Sequence, residues 1–298
     1  MKNIRTRNLL AAALAVVCAL AAATTQAQDK PVFDSRLTLA SAEATSSGGG
    51  GAEADQKSQE AELAMKLQNP IAAMISVPLQ NNWDFGIGPA DAMRYTCNIQ
   101  PVIPFSISKD WNLITRTIMP VIYAEEPVKG FGDKSGLGDI TQSFFFSPKA
   151  PVGGWIIGAG PVGYYPTATD SALGAGQWGA GPTIVALRQR HGFTYGMLAN
   201  HIWSVTGWTD EHINATYLQP FFSYTTKMHT TFAVNTESTY NWEADQWTVP
   251  VHAIVKQMVK IGGAPMQFEF AYRYYAERPA GGPDWGLRFT VTFLFSNK

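Results

Sequence analysis

This sequence predicts an all-β fold, a transmembrane up-and-down antiparallel β-barrel of about 12 strands preceded by a short helix. Three observations predict it. From Pro70 onward, apolar residues recur at alternate positions in segments of about 9 to 14 residues. The connections between segments alternate long and short, and tryptophans gather near segment ends. Composition agrees. Of 298 residues only 15% are charged, against roughly 25% in an ordinary soluble domain, while 12% are aromatic. The net charge of −1 leaves no basic footprint for nucleic acid. Beyond the leader, no run of 18 apolar residues supplies a membrane-crossing helix.

Residues 1–27 read as a secretory signal: Lys2, Arg5 and Arg7, the apolar run Leu9 to Ala23, then small residues where a signal peptidase inspects the chain before cleaving after Ala27. Cleavage removes three bases and no acids, so the charge moves from −1 to −4. It also removes Cys18, and Cys97 alone cannot form an internal disulfide. A sheet closed on itself is another route to stability. Residues 28–54, with SSGGGG at 46–51, read as a disordered linker. Residues 55–69 read as a short helix stopped by Asn69-Pro70, a periplasmic or plugging segment ahead of a barrel spanning 70–298.

Strands are expected near 70–79, 94–107, 111–124, 137–148, 154–166, 177–189, 193–205, 214–225, 230–240, 246–259, 265–275 and 286–296. The last is the clearest, with Leu287, Phe289, Val291, Phe293 and Phe295 opposite Arg288, Thr290, Thr292 and Ser296. Short turns fall at 108–110, 149–153, 190–192, 226–229 and 260–264. The other connections, at 80–93, 125–136, 167–176, 206–213, 241–245 and 276–285, are mostly longer. An even strand number with this alternation places both barrel termini at the short-turn end. One feature opposes the reading: Pro101, Pro104, Pro120, Pro161, Pro182, Pro220 and Pro250 fall inside strands, where each removes a ladder hydrogen bond.

If the apolar parity faces lipid, Glu237, Glu269, Arg273 and Arg288 point into the lumen, joined by Arg116. They form either a constriction that selects solutes or a salt-bridge ladder holding strands 11 and 12 in register. Phe145 and Phe221 are the inward aromatics expected to stack on a solute. His201 and Ser204, three apart on one strand, point to opposite faces and form no nucleophile–base pair, and there is no G-x-S-x-G, so no enzyme and no catalytic residue is expected. The five histidines lack ligand spacing, so neither metal nor cofactor is expected. The glycine runs at 130–139 and 174–181 lack the strand-to-helix setting and the Lys-Ser/Thr of a phosphate loop. The acidic loop residues Glu125, Glu126, Asp133, Asp170, Asp210 and Glu211 read as solvated loop charge.

LQNPIAAMISVPLQNNWDFGIGP (67–89), GPVGYYPTATD (160–170), YGMLANHIWSV (195–205), LQPFFSYTTK (218–227), NTESTYNWEADQWTVPV (235–251) and RYYAERPAGGPDWGLRFTVTFLF (273–295) resemble the outer-membrane "meta-pathway of phenol degradation" family. The resemblance covers 63–298. It implies a barrel in the bacterial outer membrane, in contact with its lipid, that takes up small hydrophobic or aromatic compounds by passive passage. This chain departs from the usual barrel ending, because Ser296-Asn297-Lys298 follow Phe295. The rival expectation is a barrel with a closed lumen that transports nothing and meets a partner through its long loops.

Overall fold

The computed structural model describes residues 61–130 and 132–295. The expected signal (1–27), the linker (28–54) and the first residues of the expected helix lie outside the described residues. Residues 61–66 are helical, and strands follow from residue 75.

Fifteen strand segments join into twelve barrel strands, three of them broken by an irregularity. These are β1 (Ile75–Ile87), β2 (Ala92–Ile99, continued by Val102–Ser106), β3 (Trp111–Ala124), β4 (Lys134–Leu137, continued by Ile140–Pro148), β5 (Ile156–Tyr165) and β6 (Gln177–Arg190). There follow β7 (Phe193–Gly207), β8 (Asn214–Thr225), β9 (Thr230–Thr236, continued by Ser238–Asn241), β10 (Gln246–Ile261), β11 (Ala264–Glu277) and β12 (Trp285–Phe295). Each pairs antiparallel with its neighbour in sequence. β12 returns to pair β1, from Ile75↔Phe295 to Phe85↔Trp285. Closure leaves no sheet edge, which is what a wall without water on its outer side requires.

The turns at one end are tight. His191 and Gly192 have φ of 51° and 85°, and Gly262 and Gly263 have 59° and 83°, so both central residues of each two-residue hairpin are left-handed. The other end carries the longest connections, 125–133 and 166–176. The expected long loop at 80–93 is not there. β1 begins five residues later than expected and runs on to Ile87, leaving only residues 88–91 as a turn. Asn82 and Asp84 resemble turn residues in sequence, but they face the lumen and accept hydrogen bonds from arginines, which lets the strand continue.

Four of the seven prolines fall where the ladder is already irregular. Pro101 sits in the break of β2, and Pro250 at the register shift of β10. Pro120 lies against the break in β4, where its carbonyl accepts from Gly138 at 2.9 Å. Pro220 lies between the pairs that flank the break in β9. Pro161 and Pro182 face one another on β5 and β6, so two missing donors share one position. Pro104 stays in an unbroken ladder opposite Ile114, so the breaks absorb most of the prolines and not all.

The outer surface is apolar, with Ile184, Phe232, Val255 and Phe270 among its exposed side chains. Aromatic contacts gather towards each end. Phe193 packs on Phe222 and Tyr224, and Trp155 on Tyr195, towards the short turns. Trp285 packs on Phe85 and Tyr272, and Tyr240 on Trp242 and Trp247, towards the long loops. Amphipathic rings settle at such interfaces.

The core is inside the barrel. Val102, Ile114, Phe145, Val185, Leu187 and Leu198 pack around Ile71, which precedes β1. A second cluster joins Ala64 of the helix to Met258 and Leu294, with Leu63, Leu67 and Met74 against them. Gln189 Nε2 donates to the Met65 carbonyl at 2.6 Å, and Gln68 is buried. Residues 61–74 therefore plug the short-turn end of the lumen, and the floor they complete packs closely around Ile71. Phe145→Ala, which empties the middle of that floor, should cost about 3–5 kcal/mol. It should lower the temperature at which the protein shifts mobility in SDS gels, whereas an unchanged transition would show that the floor contributes no stability.

Candidate functional site

Beyond the apolar cluster the inward parity turns polar, and several of its charges pair across strands that are not neighbours. Arg288 (β12) donates to both carboxylate oxygens of Glu237 (β9) at 2.8 Å, across two intervening strands. Its Nε donates to Asn82 Oδ1 at 2.7 Å. Arg273 (β11) skips β12 to reach Asp84 (β1) at 2.8 Å, and donates to Tyr275 at 3.0 Å. Between the two arginines lies His252, wholly buried, whose Nε2 accepts from Arg273 Nε at 3.3 Å. Lys256 and Glu269 pair between the adjacent strands β10 and β11 at 3.1 Å.

The structure thus places Arg116, Glu237, Glu269, Arg273 and Arg288 on the lumenal side, but it does not arrange them as a ladder between strands 11 and 12. Glu237, Arg273 and Arg288 join one network with Asp84, Asn82, His252 and Tyr275, and Glu269 stands apart with Lys256. The network ties together five consecutive strands, β9 to β12 and β1, along one side of the lumen, which a ladder between two neighbours does not. Asp84 and Asn82 went unread because the stretch looks like a loop, and His252 because its contact with Arg273 depends on the cross-strand register of β10 and β11, which residue spacing does not show. The signal was the parity of β1, in which Gln80, Asn82 and Asp84 share a face.

Arg116 stands apart from this network. Its Nη2 donates to Gln100 Oε1 at 3.1 Å, and among the described residues no carboxylate lies within ion-pair distance. It lines a cavity of about 410 Å³ together with Gln80, Gln100, Tyr164, Tyr217, Ile202 and Glu237. A second cavity of about 510 Å³, under the 278–284 loop, also touches Tyr217 and Glu237. Phe145 lines neither. It has no exposed surface and belongs to the floor, so it offers no stacking face. Phe221 packs against the floor and borders a space of about 140 Å³ beside Leu67 and Gln68. The aromatic faces of the cavity of about 410 Å³ are Tyr164 and Tyr217.

His201 and Ser204 have separate partners: His201 Nδ1 meets Thr216 Oγ1 at 2.7 Å, and Ser204 Oγ accepts from the Ile213 amide at 3.2 Å. Among the described residues, no group of three His, Cys, Asp or Glu side chains could hold a metal ion. Several loop acids hold backbone. Glu126 accepts from the Gly132 amide at 2.8 Å, and Asp170 caps the 166–176 loop at Ala172 while pairing with Lys134 at 3.0 Å.

The closed, twelve-stranded, outward-apolar sheet decides the fold. It is that of an outer-membrane barrel. An outer membrane channel from Pseudomonas putida F1 is similar over 76% of this chain and 97% of its own, with 14% identity and a TM-score of 0.59. The β domain of the Bordetella autotransporter BrkA covers 75% of this chain and all of its own, at 10% identity and a TM-score of 0.43. No family profile and no curated protein matches the chain.

Two outcomes follow. Arg288→Met leaves Glu237 without its partner in the lumen and should cost about 3–5 kcal/mol in urea unfolding from micelles. Adding Glu237→Gln should restore part of that loss, whereas purely additive losses would show the two to be uncoupled. The Ala172 amide and Lys134 hold the Asp170 carboxyl below the usual carboxylate range. Its contribution is present above that range and is lost as pH falls through the depressed value. Exchange protection of 166–176, corrected for intrinsic rates, should therefore drop on acidification, and Asp170→Asn should reproduce the drop at neutral pH. Protection indifferent to both would remove Asp170 as the loop's anchor.

Proposed function

We propose that the protein is a passive channel of the bacterial outer membrane for small hydrophobic or aromatic compounds, with residues 61–74 as the element that must yield for a solute to pass. The cavity of about 410 Å³ carries the reading: it lies in the lumen, directly above a floor built partly from a segment that is no part of the wall. Sites of this size, apolar with a few placed polar groups, suit small ligands. The resemblance to the phenol meta-pathway family and the similarity in fold to the Pseudomonas channel support the same reading. The chemistry of the lumen does not need a catalyst, cofactor or metal to perform this task.

Passage would run from the long-loop mouth, past Tyr217 and the Arg288–Glu237 pair, to the floor. The network holds one side of the lumen at that level, and the apolar floor narrows the way beyond it. A second reading, a barrel whose lumen stays closed and whose long loops meet a partner, draws on the same dense floor, in which Phe145, Leu187 and Leu198 are at most 1% exposed.

Flux into proteoliposomes separates the two. The wild-type protein should admit benzyl alcohol faster than empty liposomes do. Ile71→Asp, which puts a charge into the apolar floor and favours release of the plug, should raise that rate and the ionic conductance severalfold while the heat-dependent gel shift persists. Wild-type and Ile71→Asp barrels that both match empty liposomes would establish the closed-lumen reading instead.

A further inference from the structure

We propose that the Arg116 cavity is a binding site for carboxylates, so that the solutes of this barrel are small aromatic or apolar acids. This rests on the channel reading for its purpose, and it stands on the geometry of the site for its chemistry.

Two charged side chains line the cavity, Arg116 and Glu237. Both oxygens of Glu237 are committed to Arg288 at 2.8 Å, which leaves the pair close to neutral as seen from the cavity. Arg116 is not compensated in this way. A guanidinium has five N–H donors, and the one in use goes to a neutral amide oxygen. A charge facing a space with apolar walls is costly unless it is paired or hydrated. A planar, two-oxygen anion matches the free edge of the fork better than any other small partner.

The guanidinium is also held in place. Gln100 accepts from Arg116 through Oε1 and donates through Nε2 to Gln80 Oε1 at 3.0 Å, and Asn98 Nδ2 donates to the same oxygen at 3.2 Å. This amide chain orients Arg116 without neutralising it, so the site is organised before a ligand arrives. Further donors face the same space: the Tyr217 hydroxyl and the Asn200 amide make no hydrogen bond among the described residues. Ile118, Ile202 and Ile213 supply an apolar wall for the rest of the ligand. A carboxylate at Arg116 with an aromatic or branched aliphatic body against that wall uses every one of these features. A neutral hydrocarbon would leave the cation bare, and an organic cation would meet it with like charge.

The test uses the full mature protein in micelles at neutral pH, titrated calorimetrically with benzoate and with its neutral near-isostere benzamide. Benzoate should bind about tenfold or more tightly than benzamide. Arg116→Gln should abolish that preference by weakening benzoate far more than benzamide, and Arg116→Lys should keep part of it. Absent benzoate binding, equal affinities in the wild-type protein, or a preference that survives Arg116→Gln would overturn the proposal, and the wild-type comparison decides even if a variant fails to fold. Flux of the same two solutes, measured in parallel, tests the channel itself. An Arg116-dependent preference in a barrel that passes nothing would sustain the carboxylate site and remove only the transport reading.

Discussion

Arg288 donates to Glu237 across two strands and to Asn82 on the adjoining one, and through these contacts a single guanidinium fixes the distance between parts of the wall that never pair. Arg273 makes a second such span to Asp84, with His252 filling the space between. A twelve-stranded sheet has a definite circumference but no definite cross-section, because hydrogen bonds run only between neighbours and leave the ring free to flatten. The buried bridges set the curvature of the wall from β9 through β12 to β1, the side on which Glu237 lines the cavity.

The lumen is divided by chemistry along its axis. Towards the short turns the inward parity carries Ile114, Phe145, Val185, Leu187 and Leu198, which no aqueous pore would keep, and Ile71 enters to cover them. Towards the long loops the same parity carries Asn, Gln, Arg and Glu. One period-two pattern thus serves two environments, with the change falling between Ile114 and Arg116 on β3 and between Phe145 and Ser143 on β4. A solute that enters from the polar half meets an uncompensated guanidinium before it meets the closed half.

Strand number, order and most boundaries were legible because period two survives every local irregularity, and because turn residues punctuate it. The first strand was not, since Asn82 and Asp84 are turn formers by intrinsic preference and their lumenal partners lie about two hundred positions away. The same distance hid the partners of Arg273 and Arg288: parity tells which way a side chain points, and only closure of the ring tells what it meets. Phe145 shows the complementary limit. Its direction was readable, but whether it lines space or fills it depended on Ile71, four residues before the wall begins.

The plug is continuous with β1, which forms one side of the seam, and it lies within the ring that the seam completes. Residues 61–74 cannot be fed through a finished wall from the side, and their covalent tether to Ile75 is too short to allow a detour. They must be seated as β12 zips onto β1, or pushed up afterwards from the short-turn end. In the first order of events, the stopper helps to choose the register of the last two strands by presenting Met74 and Leu63 to Leu294 as they meet. The protein would then be a vessel moulded around its own cork, and the fidelity of the final seam would depend on a stretch of chain that contributes no strand to it.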